Sequence, residues 1–316
     1  MKFAAVFPGQ GSQSTGMLAE LANDYNEVKD TFQEASDILV KDLWALTQKG
    51  NEDALNQTEN TQPVMLAAGI AVWRIWLKQG GCTPVAMAGH SLGEYSALVA
   101  SGSLDFKDAI KLVAERAQLM QQAVPKGSGA MAAILGLDDK VIVDICAESS
   151  QRGIVEAVNF NSPGQVVIAG ESGAVEIAIE KLKEEGAKRA IQLPVSVPSH
   201  CSLMKGAAEQ LDKTLSSTNF AKADFPVIQN VEANSFDDIK DKKEALSKQL
   251  YKPVLWVDTI NKLNQTYAAD TIIEFGPGKI LFGLNRRINR KLGNFNVCDS
   301  ASLDKALSAC EDLNGS

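Results

Sequence analysis

The chain has 316 residues, 45% hydrophobic and 22% charged, with a formal net charge of −8. It is long enough for one large domain with an insertion, or for two domains. The acidic balance argues against a nucleic-acid partner. No run of about 18 apolar residues is present to span a membrane, and the N-terminal stretch is broken too soon, at Pro8, to read as a signal peptide.

Lys2 to Phe7 reads as a short buried strand. It runs into Pro8-Gly9-Gln10-Gly11-Ser12-Gln13, which lacks both G-x-G-x-x-G and a Walker lysine. That loop is either a flexible turn or one that offers a backbone N–H to an anionic intermediate. Residues 17–57 are predicted as two or three short amphipathic helices. Asn60-Thr61-Gln62-Pro63 then opens a helix to about Gln79, with Asn60 or Thr61 as cap. Its apolar residues surround the whole cylinder, as in a buried helix.

Val85 to Ala88 is a small apolar strand, and Leu92 to Ala100 is helix-forming. Between them stands Gly89-x-Ser91-x-Gly93. The pattern alone arises by chance in about one chain in ten of this length. Its strand-before, helix-after context is that of a nucleophile elbow, where two backbones meet and a Cβ would collide. The alternative is an ordinary turn with a capping serine. Asp105 caps the next helix, to about Val124. Its apolar stripe carries Arg116, which must find an anion if buried. A structural salt bridge or a rim position would satisfy it equally well.

After Pro125-Lys126-Gly127-Ser128-Gly129 the pattern changes to strand–helix–strand–strand–helix–strand, ending near Leu193. This is the split ferredoxin-like motif. The larger unit resumes at Pro194-Val195-Ser196-Val197-Pro198-Ser199-His200, with Ser199 expected to cap a helix to about Leu215. A strand at Val227–Val231, helices at 238–251 and 255–264, and a final central strand at Thr271–Phe275 follow. Gly276-Pro277-Gly278-Lys279 opens a last basic helix. The fold expected is α/β: a hydrolase-like core with a parallel sheet (1–125 and 196–316) and an inserted ferredoxin-like βαββαβ subdomain (126–195).

A serine hydroxyl needs a base, and the chain has only His90 and His200. His90 adjoins Ser91 in a tight turn, where neighbouring side chains diverge. His200 follows a predicted strand, in the serine-before-histidine order of α/β-hydrolases. No acidic partner for it stands out, and a backbone carbonyl would serve. The five cysteines (82, 146, 201, 298, 310) are scattered without C-x-x-C and read as reduced thiols in a cytoplasm, with Cys201 assigned to the core. No Cys/His spacing suits a metal, and no cofactor is expected.

Taken together, Phe7–Gln13, Gly89-His90-Ser91-Leu92-Gly93-Glu94, Arg116, Asn159-Phe160-Asn161-Ser162-Pro163-Gly164-Gln165, Val197–His200, Gln249 and Gly276–Lys279 resemble the malonyl-CoA:acyl-carrier-protein transacylases of bacterial type II fatty-acid synthesis. The resemblance covers essentially the whole chain. It implies that Ser91 carries the malonyl ester and that His200 is the base, held by the Gln249 backbone carbonyl. It also implies an oxyanion hole from the N–H groups of Gln10 and Leu92, and a malonyl carboxylate bound by Arg116. Malonyl-CoA and acyl carrier protein are the implied partners. Related modular synthases signal the acyl unit in the residues before the histidine, so Val197-Pro198-Ser199 does not exclude substituted malonyl groups. Two rival functions share these residues: a serine hydrolase or thioesterase, and a non-catalytic carrier-binding module. Arg286, Arg287, Arg290 and Lys291, expected on one helix, are a candidate docking patch for an acidic carrier.

Overall fold

A computed structural model describes residues 1–195 and 197–311; the expected resumption at Ser196, and residues 312–316, lie outside the described residues. In chain order the elements begin with β1 (Phe3–Phe7), α1 (Leu21–Asp24), α2 (Asn26–Leu39), α3 (Leu43–Lys49), α4 (Glu52–Leu55), α5 (Thr58–Lys78), β2 (Ala86–Gly89), α6 (Gly93–Ala100) and α7 (Phe106–Gln122). Next come β3 (Gly129–Leu135), α8 (Asp139–Ser149), β4 (Val155–Ser162), β5 (Gln165–Glu171), α9 (Ser172–Glu184) and β6 (Arg189–Gln192). The chain continues with α10 (Lys205–Ser217), β7 (Val227–Ile228), α11 (Ile239–Gln249), α12 (Trp256–Gln265), β8 (Thr271–Phe275), α13 (Ile280–Ile288), β9 (Gly293–Val297) and α14 (Ser300–Glu311).

Five strands form one parallel sheet in the order β7-β2-β1-β8-β9. Every residue of β1 is buried because helices cover both faces. Side chains alternate across a strand. Phe3, Ala5 and Phe7 therefore pack toward the α5 side, and Ala4 and Val6 toward Trp256, Ile260 and Leu284. The second sheet is antiparallel, in the order β4-β5-β3-β6. That is the ferredoxin-like arrangement, with α8 and α9 packed on one face. β4 touches the core directly: Phe160 N–H donates to Val254 O (3.0 Å) and Val254 N–H to Val158 O (2.9 Å). No helix among the described residues is long and apolar enough to cross a membrane.

Several expectations need correction. The segment before α5 contains four helices, and α5 starts at Thr58, so Pro63 lies inside it. Asn60 and Thr61 do not cap; their side chains reach back to Ala54 O and Leu55 O and pin α4 against α5. Ser199 does not cap a helix either: α10 begins only at Lys205. β7 is two residues long, not five. β8 is the final central strand as expected, but beyond it lies β9, an unforeseen edge strand too polar to signal itself, with Asn294 and Asn296 on it. The basic helix ends at Ile288, leaving Arg290 and Lys291 past its end. Finally, Cys82 and Cys310 form a disulfide. A pairing across 228 residues leaves no local trace in the sequence; Cys146, Cys201 and Cys298 are free thiols.

Candidate active site

The site lies at the carboxyl ends of the parallel strands, where a doubly wound sheet leaves a crevice. The turn from β2 into α6 brings backbone onto backbone. A Cβ on Gly93 would sit 2.0 Å from Phe7 O, and one on Gly89 would sit 1.9 Å from Gly93 O. Only glycine fits at either position. The turn holds Ser91 at φ 52°, a left-handed conformation that is uphill for a serine.

Ser91 Oγ lies 2.8 Å from His200 Nε2, and His200 Nδ1 lies 2.7 Å from the backbone oxygen of Gln249. A carbonyl can only accept, so Nδ1 carries the proton and Nε2 is the acceptor facing the Ser91 hydroxyl. Burial first, and then the Arg116 cation, push the His200 imidazole down to about 3. The ring is therefore neutral at neutral pH. His90 points elsewhere: its Nε2 is 2.7 Å from Asn161 Oδ1, and its ring packs edge-on against Trp256.

Arg116 is fully buried. Its guanidinium donates to Gln62 Oε1 (2.7 Å) and Gln249 Oε1 (2.9 Å), and Nη2 lies 3.5 Å from Ser91 Oγ. It stands over the Tyr95 ring. Among the described residues no carboxylate pairs with it within 4.0 Å. Burial pulls its proton affinity down, yet a guanidinium keeps its charge at any working pH. A buried cation held only by neutral amide oxygens, beside a serine, suits an anionic ligand.

A cavity of about 400 Å³ opens over Ser91 and His200; Arg116 and Gln249 lie behind its wall and do not line it. Gln10, Ser91 and His200 line it together with Asn161 from β4 and Leu284 from α13. Leu92 immediately precedes α6, where helix N–H groups lack partners of their own. Among the described residues neither the Gln10 nor the Leu92 N–H donates to a backbone carbonyl. Ser91, His200, Gln249 and Arg116 thus converge, with Gln10 and Leu92 beside them. The four basic residues expected to dock a partner do not line the cavity. Arg287 donates to Gln165 Oε1, and the Arg286 guanidinium lies over Phe282.

A model of the acyl transferase domain matches residues 5–300. The malonyl CoA-acyl carrier protein transacylase of Salmonella typhimurium is 51% identical over 306 residues, 97% of this chain and 99% of that protein. This chain belongs to the malonyl-CoA:acyl-carrier-protein transacylase family. Two solved relatives superpose along nearly the whole chain. An acyl carrier protein S-malonyltransferase from Vibrio cholerae gives a TM-score of 0.93 at 55% identity, covering 96% of this chain and 99% of that one. A malonyl-transacylase solved in complex with a type II PKS acyl-carrier protein gives 0.96 at 52%, covering 98% and 100%.

The chain also holds buried polar residues to which the sequence assigned no role. Glu94 is fully buried, and its carboxyl accepts from Gln229 Nε2 (2.9 Å), Asn230 N–H (2.8 Å) and Gln249 Nε2 (2.8 Å). Burial raises it to about 7 against the pull of those bonds and of Arg116. Gln62 holds one arm of Arg116. It follows Asn60 and Thr61 in a polar segment that reads as a helix start, so nothing marks it out in the sequence. For Asn230 there was no cue, since it falls inside the strand expected at Val227–Val231, of which only Val227–Ile228 forms.

Proposed function

We propose that this protein moves a malonyl group from malonyl-CoA to the phosphopantetheine thiol of acyl carrier protein through an ester on Ser91, in fatty-acid biosynthesis. The observation that carries the reading is the pairing of a Ser91–His200 dyad with a buried arginine that lacks a carboxylate partner, 3.5 Å from the serine oxygen. The family of the chain supports the same reading.

In the first half-reaction Ser91 Oγ attacks the thioester carbon while His200 Nε2 takes the hydroxyl proton. The N–H groups of Leu92 and Gln10 donate to the oxyanion, each worth about 3 kcal/mol in a preorganised hole. Gln249 O steadies the imidazolium. The tetrahedral adduct collapses, the carbon–sulfur bond breaks, and His200 returns the proton to the departing CoA thiolate. Arg116 holds the far carboxylate of the acyl group through two parallel hydrogen bonds. In the second half-reaction His200 takes the proton of the carrier's thiol, whose sulfur attacks the ester, and the Ser91 hydroxyl is restored. One thioester is exchanged for another, so the equilibrium lies near balance. We take residues 126–195 as an inserted subdomain in a core formed by 1–125 and 196–316, Arg286, Arg287, Arg290 and Lys291 as the carrier's docking patch, and the cytoplasm as the site of action.

The test is intact mass after incubation with malonyl-CoA alone. A stable malonyl adduct, absent in Ser91→Ala, strongly reduced in His200→Ala, retained in His90→Ala and discharged by acyl carrier protein, is the expected result. Steady CoA release with no adduct would instead identify a hydrolase.

A further inference from the structure

Ser91 occupies its left-handed conformation inside a cavity wall, and both ends of its peptide unit are tied down. Its N–H donates to Asn230 Oδ1 at 2.7 Å. Its carbonyl accepts from Gln249 Nε2 at 3.0 Å. Asn230 is fully buried and uses its whole amide on the elbow, because Nδ2 donates to Gly89 O at 2.7 Å. The amide therefore bridges the residue two before the elbow's apex to the apex itself. Asn230 is in turn fixed by its own main chain: its N–H donates to Glu94 Oε2 (2.8 Å), and its carbonyl accepts from Leu255 N–H (3.1 Å). Glu94 Oε2 also accepts from Gln249 Nε2, so one oxygen joins the strap on the N–H side to the strap on the carbonyl side.

The topology explains how a residue 139 positions away reaches the elbow. β7 pairs in parallel with β2, with Ile228 opposite Ala88. The chain leaving β7 therefore emerges beside the chain leaving β2, and Asn230 comes level with the turn.

We propose that Asn230 is a positioning residue for acyl transfer: its amide clamps Gly89 and Ser91 together and so aims the serine hydroxyl at His200. The clamp also turns the Ser91 N–H inward, which leaves the next amide, that of Leu92, to face the oxyanion. Asn230 touches neither substrate nor the reacting atoms. It acts on the nucleophile and not on the arginine fork, so its loss falls equally on any acyl donor. The inference rests on the Ser91 acyl-enzyme proposed above.

The experiment is rapid-quench acylation of Asn230→Ala and Asn230→Ser with malonyl-CoA and with acetyl-CoA, the burst amplitude giving the fraction of competent chains. A misplacement of the attacking atom by about 1 Å costs on the order of 100-fold in rate. Asn230→Ala is therefore expected to lower the acylation rate per competent chain about 100-fold, for both donors alike, with KM for malonyl-CoA unchanged. Asn230→Ser, whose hydroxyl is too short to span both bonds, is expected to lose roughly tenfold and to decide the matter should the alanine variant not fold. A wild-type rate per competent chain, whatever the change in Tm, would overturn the proposal and leave Asn230 a purely structural group. A loss confined to malonyl-CoA would also overturn it. Absence of any Ser91 adduct in the wild-type protein would instead overturn the underlying reading of function.

Discussion

Replacing Arg116 by alanine separates a malonyl-specific enzyme from a generic serine acyl-enzyme. The side chain is fully buried; it donates to two neutral amide oxygens, from Gln62 and Gln249, and among the described residues its Nε has no partner. An arriving carboxylate would be the first anion to pair with it. Truncating one partner of a buried, hydrogen-bonded charge pair costs about 2–4 kcal/mol, or roughly 30- to 900-fold in kcat/KM for malonyl-CoA. The slow reaction of acetyl-CoA makes no use of the fork, so its kcat/KM is expected to hold or rise. Stability should change little. Removing a desolvated cation that has no ion pair offsets the loss of two hydrogen bonds, so the Tm is expected to move by only a few degrees. Arg116→Lys should recover part of the loss, since a point charge does not reproduce the fork. The assay is kcat/KM for both donors in wild type, Arg116→Lys and Arg116→Ala, alongside thermal melts. Equal losses with malonyl- and acetyl-CoA would refute the reasoning and make Arg116 a structural residue.

Two further outcomes are expected. His200 sits at about 3 in the folded protein against 6.5 for an ordinary histidine. Above pH 6.5 the ring is neutral in both states. As pH falls from 6.5 toward 3 only the unfolded chain takes up the proton, so stability drops. The Tm of wild type relative to His200→Gln should therefore decline across that window, and parallel curves would contradict the assignment. Charge reversal at Arg286, Arg287, Arg290 and Lys291 should raise KM for acyl carrier protein, as should added salt. An equal loss with a small pantetheine thiol as acceptor would remove the docking role.

The parts of the site that were legible in the sequence are those whose cause is local. Gly89 announces the elbow because backbone contact within five residues, at Gly93 and Glu94, forbids a Cβ there; Gly93 completes the local pattern, although the backbone it must clear is that of Phe7 on β1. Arg116 announces itself by falling on an apolar helical stripe, and His200 by the scarcity of histidines. Gln249 came only through family resemblance. It holds His200 with a main-chain oxygen that any residue could supply, so its identity is silent about that task. Its side chain, bonded to Arg116, Glu94 and the Ser91 carbonyl, does depend on being glutamine. Glu94 and Asn230 were missed because the burial of a polar side chain is decided by elements far away in the chain. The same holds in the fold. β1, β2 and β8 are short apolar runs and read as strands. β9 is only half-buried along most of its length and carries alternating asparagines, so composition hides it. The Cys82–Cys310 bridge joins segments that meet only once the sheet is assembled.

The position of β1 has a consequence for synthesis of the chain. Of the strands described, β1 is the first to be translated; it is central in the parallel sheet, and its two neighbours are β2 and β8. After β2, roughly 180 more residues must be translated before β8 exists, which takes on the order of 10–40 seconds at 5–20 residues per second. Throughout that interval one edge of β1 has no native partner, and an unpaired apolar edge is a template for wrong pairing. The four strands of the antiparallel sheet, by contrast, all come from the contiguous stretch 129–192 and can pair as soon as they emerge. The nascent protein is thus expected to carry a formed second sheet while its first sheet still waits for the chain's last third. Pulse proteolysis of ribosome-bound chains stalled before and after residue 275 would show protection of 129–192 in both, and of β1 only in the longer chain.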